Sequence, residues 1–93
     1  MEFKFTELGH DHFAFRNEKS GDTLAEITWT QMADVMVVEH TFVDPSLRGQ
    51  GIAKQLLDRT ADYARENQYR IEPVCSYVVT AFERSNEYDD LKV

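Results

Sequence analysis

Two glycines one residue apart, Gly49 and Gly51, stand where a β-prone run gives way to an amphipathic one. That placement is suited to holding phosphate. Glycines let the backbone turn tightly and approach a ligand with no Cβ in the way. The first amides of a helix lack intrahelical acceptors, and the positive end of the helix dipole lies behind them. Small Ala53 keeps the first turn low enough for a diphosphate to lie across it. The dinucleotide fingerprint is excluded because no third glycine follows Gly51 at its spacing, and a P-loop because Gly-Lys-Ser/Thr is missing. A glycine pair alone is also compatible with a bare tight turn.

Other reactive side chains are few. His40 lies late in the β-prone run and could serve as a base; read as an uninterrupted strand, Met36, Val38, His40 and Phe42 share one face and Glu39 points the other way. A His on such a face also fits a satisfied core position. Cys75 precedes a second helical run and has two readings: a small buried hydrophobe, or a thiol lowered in pKa by a helix start and able to take an acyl group. His10-Asp11-His12 resembles a metal-ligand pair but has no third ligand at a convincing spacing, so it reads as a solvated turn and no metal is expected.

The elements that must position these groups follow from periodicity. Alternation marks strands at Phe3–Thr6, His12–Asn17, Thr23–Thr30 and Val35–Val43, with turns at Gly9–Asp11 and Lys19–Asp22 and a link at Gln31–Asp34. The period then changes. Ile52, Ala53, Leu56, Leu57, Tyr63 and Ala64 form one stripe at about 100° per residue, predicting a helix from Gly51 to about Glu66, ended by Asn67-Gln68. Tyr69–Glu72 reads as a further strand. Ser76 reads as the N-cap of a second helix carrying Val78, Val79 and Phe82, with Tyr88 as an extension. The expected fold is α/β of the α+β kind: a mostly antiparallel sheet packed with two helices.

Composition bounds the function. With 93 residues, residues 1–93 make one domain, and an apolar content of 42% is enough to fold it. A single cysteine allows no internal disulfide, and no apolar run nears the ~18 residues that cross a bilayer. The start, Met1-Glu2-Phe3-Lys4, lacks the layout of a secretory signal, so a cytoplasmic location without membrane attachment is expected. A net charge of -7, with no basic patch, argues against nucleic acid. It either keeps the chain soluble or draws in a cationic partner. A monomer or weak homodimer is expected.

The whole string from Val43 to Ala53 resembles motif A of the GNAT superfamily of N-acetyltransferases, where Arg/Gln-x-x-Gly-x-Gly/Ala follows a Val-x-Pro strand exit. Here it reads Arg48-Gly49-Gln50-Gly51-Ile52-Ala53. Pro73-Val74-Cys75 further resembles the Pro-x-Cys that short stand-alone GNAT-like domains carry before their last helix. The likeness runs from about the second strand to the C-terminus. It implies an acetyl-CoA-dependent transfer to a small amine or a Lys side chain. It also implies that amides from Gly49 to Lys54 (Gly49, Gln50, Gly51, Ile52, Ala53, Lys54) hold the pyrophosphate of acetyl-CoA as co-substrate. Thr41, Phe42 and Val43 would then pair their backbone with the pantetheine arm, Cys75 would be an active-site residue, and Glu39 an alternative base to His40. The rival reading is an acyl-CoA-binding or sensing module without turnover.

Overall fold

The computed structural model describes residues 1–93. Four antiparallel strands come first: β1 (Lys4–Gly9), β2 (His12–Lys19), β3 (Asp22–Met32) and β4 (Val35–Val43). A 3-10 turn at Pro45–Leu47 leads into helix α1 (Ile52–Asn67). Strand β5 (Arg70–Pro73), helix α2 (Ser76–Arg84) and a second 3-10 turn at Asp89–Leu91 complete the chain. The sheet order is β1-β2-β3-β4-β5, and only the β4–β5 pairing is parallel. This is the mostly antiparallel α+β arrangement that the change of period predicts.

Local chemistry accounts for the joints. Ser20 and Gly21 both have positive φ (54° and 84°), the geometry of a two-residue hairpin turn matched to strand twist. The β3–β4 connection is shorter than the sequence implies: β3 continues to Met32 and only Ala33-Asp34 turn. Helix α1 closes at Gln68, whose φ of 60° allows the amides of Gln68 and Tyr69 to reach the carbonyls of Arg65 and Ala64.

One face of the sheet carries the core. Phe15, Ala25, Ile27, Trp29, Met36 and Val38 form one buried cluster with Leu56, Leu57, Ala61 and Ala64 of α1 and Val78 and Phe82 of α2. Both helices therefore pack on the same side. Thr60 completes the buried stripe of α1, its hydroxyl satisfied by the Leu56 carbonyl at 2.9 Å, while Tyr63 is half-buried among Phe5, Phe15 and Trp29. The opposite face carries Arg16, Glu26, Thr28 and Thr30, with Arg16 paired to Glu26.

Two expectations at α2 change. The N-cap is Cys75, and Ser76 is the first helical residue. Tyr88 lies beyond the helix, which ends at Arg84, and stacks back on Phe82 with ring centroids 5.2 Å apart. Tertiary stacking buries Tyr88 where helical periodicity does not reach.

Leu56 is fully buried between sheet and helices. Leu56→Ala is expected to lower unfolding free energy by about 2–5 kcal/mol in urea titrations, and exposed Glu66→Ala by less than about 0.5 kcal/mol.

Candidate active site

The site begins where β4 and β5 part. Their register runs from Val35↔Arg70 to Val38↔Pro73 and stops. The Val38 carbonyl accepts from the amides of both Val74 (2.9 Å) and Cys75 (3.0 Å), which turns the chain off the sheet into α2. On its other side β4 bulges: Trp29 pairs with Val38, but the next β3 residue, Thr28, pairs with His40. Glu39 is the extra residue. From there to Val43, β4 has β3 on one edge and no strand on the other.

The bulge overturns the expected facing of β4. Val38 is buried against the helices, whereas His40 pairs with Thr28 and Phe42 with Glu26, on the face without helices. Glu39 points to that same face, accepting from the Thr30 hydroxyl at 2.7 Å. An uninterrupted strand would separate Glu39 from His40; the extra residue places both on one side. Thr41 instead pairs with Ile27 on the core face, and its hydroxyl accepts from Cys75 Sγ at 3.4 Å. Cys75 is thus brought to Thr41, with no hydrogen bond to His40 or Glu39.

Beyond Val43 the chain is fixed before it becomes open. Asp44 takes the Ser46 amide (3.0 Å) and hydroxyl (2.5 Å), and these donors hold its carboxyl below the ordinary carboxylate value. The amides of Leu47 and Arg48 close the 3-10 turn on the Asp44 and Pro45 carbonyls. Then the hydrogen bonding stops. None of the six amides from Gly49 to Lys54 donates to an acceptor in the chain; the first intrahelical bond runs from the Gln55 amide to the Gly51 carbonyl.

The residues explain why. Gly51 is the N-cap of α1 at φ 72° and offers no side chain to cap its amides, unlike Ser, Thr or Asp. Gly49 has φ 82°, and a Cβ on either glycine would meet nothing within 4 Å, so both border open space. A groove of about 280 Å³ lies there, lined by Arg48, Ile52, Lys54 and Tyr77 among others.

Tyr77, at the start of α2, is a lining residue that no local pattern ties to the glycine loop. The rim next to it is charged. Lys54 Nζ donates to Asp58 (3.2 Å), Glu87 (3.2 Å) and the Tyr88 hydroxyl (3.3 Å), while Tyr88 donates to Asp58 at 2.6 Å. These partners hold the Lys54 ammonium above its ordinary pKa. Burial, aided by the bond to Asp58, pushes the Tyr88 phenol up to about 12. Elsewhere, His10 and Asp11 form an exposed pair at 3.1 Å, and nowhere do three His, Cys, Asp or Glu side chains converge as metal ligands. No helix is long and apolar enough to cross a membrane.

Residues 12–91 match the model of a family described as GCN5-related N-acetyl-transferase. No curated protein matches the chain in sequence. Among solved structures, a GCN5-like protein of Staphylococcus aureus is 30% identical with a TM-score of 0.71, over 97% of this chain and 87% of that one. Two more distant structures share the fold. The ribosomal-protein-S18-alanine N-acetyltransferase of Escherichia coli is 18% identical (TM-score 0.66), matched over 81% of this chain and 52% of that one. Tetrahymena GCN5 is 11% identical (TM-score 0.66), over 82% and 50%. The chain thus spans about half the length of these two.

The rim has a pH signature. Because the Tyr88 phenol titrates higher in the folded chain than its ordinary value of 10.0, its contribution is complete below pH 10 and is lost as pH climbs towards about 12. Urea midpoints are expected to fall over that window, and less steeply in Tyr88→Phe.

Proposed function

The chain belongs to the GCN5-related N-acetyl-transferase family, and from that premise we propose that it transfers the acetyl group of acetyl-CoA to a primary amine, on a small molecule or a Lys side chain. The observation that carries this reading is the row of unpaired amides from Gly49 to Lys54 above a groove with Arg48 at its side. Six donors without acceptors at a helix start form a cradle for a diphosphate. The unpaired edge of β4 at Thr41, Phe42 and Val43 offers backbone partners to an amide-bearing arm such as pantetheine. These residues fit the co-substrate.

In the reaction an amine nitrogen forms a bond to the acetyl carbonyl carbon, the C–S bond breaks, the amine loses a proton, and the departing sulfur takes one. Adjacent on the bulge and exposed on one face, His40 and Glu39 are the candidates to receive the amine's proton. A second reading is a two-step route through acetyl-Cys75. It is favoured by the place of Cys75 as N-cap of α2, next to the edge that would hold the arm. A binding module without turnover shares the same donor site.

The donor site is tested by Gly51→Asp. A side chain there enters open groove space and a carboxylate repels phosphate, so calorimetry should show CoA binding lost in folded protein, and adenosine binding far more weakly than CoA to the wild type. Unchanged CoA affinity in Gly51→Asp would refute the assignment.

Roles separate by kinetics and mass. Direct attack predicts that His40→Gln or Glu39→Gln loses ~10²-fold or more in kcat with CoA affinity retained. Without an amine, acetyl-CoA should then leave Cys75 unlabelled. An acetyl mass on Cys75 that is absent in Cys75→Ser and shed to an amine would establish the two-step route instead. No turnover with any amine tested, together with no label on Cys75, would leave binding as the function.

A further inference from the structure

Two cationic side chains line the groove, and the structure treats them differently. Arg48 makes no side-chain hydrogen bond or ion pair, whereas Lys54 is held by Asp58 one turn along α1, by Glu87 and by the Tyr88 hydroxyl. Glu87 is itself fixed in place. Its carboxylate accepts from Ser85 Oγ at 3.0 Å, its amide donates back to Ser85 Oγ at 3.2 Å, and its carbonyl accepts from Arg65 at 2.9 Å. Arg65 also binds Asp90 through two nitrogens, at 2.9 and 3.1 Å. Tyr88 is buried and stacked on Phe82. The segment after α2 therefore carries a carboxylate to the rim of the groove and anchors it there.

We propose that Asp58 and Glu87 occupy the Lys54 ammonium at the rim of the groove in competition with a bound diphosphate, so that these two carboxylates tune how tightly the site binds its anionic donor. This rests on the donor site proposed above. An incoming diphosphate must compete for Lys54 or bind without it. The contact weakens the hold on CoA as well as on acetyl-CoA, and so favours product release, a step that often limits turnover. The backbone amides bind the anion; the Lys54 cluster sets the affinity.

Calorimetry with CoA on the full chain tests this, using wild type, Glu87→Gln, Lys54→Met and the double variant, with far-UV circular dichroism as the check on folding. Glu87→Gln should bind CoA about two- to fivefold more tightly, the scale of one exposed ion pair released to another partner. In the Lys54→Met background the same change should give little or no gain, because its effect passes through the ammonium. Asp58→Asn should shift affinity in the same direction and carries the test if Glu87→Gln does not fold. No tightening in either variant, or an equal gain with Met at position 54, overturns the proposal while leaving the donor site standing. A wild type that binds no CoA overturns both.

Discussion

Everything in this domain depends on one carbonyl with two donors. By accepting from both Val74 and Cys75, Val38 ends the parallel pairing of β4 and β5 and sends the chain into α2. One residue later, Glu39 bulges against β3. The two irregularities coincide, so the strand loses its β5 neighbour and changes facing at one point. The open edge, the exposed pair Glu39 and His40, and the meeting of Thr41 with Cys75 all follow from that fork. A β5 that continued pairing would cover the edge, and an unbulged β4 would turn His40 into the core.

The rest of the fold braces the helix that carries the loop against the strands that form the fork. Helix α1 is pressed onto β3, β4 and β5 through Leu56, Leu57, Thr60, Ala61 and Ala64, so its N-terminal amides are aimed by a packed core. Arg59 adds to this grip, its guanidinium 4.5 Å from the Phe15 ring centroid. The chain after α2 is tied to α1 by Arg65 and to β5 by Arg70, which donates to the Lys92 carbonyl at 3.0 Å. The open loop is thus surrounded by closed contacts.

Much of this is legible in the sequence. Val35–Val43 stands where periodicity places it and α1 begins within one residue of its expected start, at Ile52 with Gly51 as its cap, because each has a local cause: a β-branched run in one, an apolar stripe after two glycines in the other. The bulge was not legible. Val38-Glu39-His40 shows no break in pattern, and the extra residue exists only through pairing with β3 and the departure of β5. Nor was the rim, whose Lys54–Glu87 contact joins residues 33 apart in the chain. Tyr77 of α2 lines the groove together with Ile52 and Lys54 of α1, a tertiary fact with no trace in spacing. Short-range constraints were readable, and those requiring two distant segments were not.

The loop from Gly49 to Lys54 presents main-chain atoms, and every residue but proline carries the same amide. In the proposed donor site, Gln50 and Ala53 would contribute through backbone that many other residues supply equally well, whereas the two glycines adopt dihedral angles that few residues tolerate. Evolutionary drift is therefore cheap across most of the site and costly at two positions. Structures only 11% and 18% identical to this chain still share its fold. The path of the backbone, more than the side chains hung upon it, is what such a loop requires of its sequence.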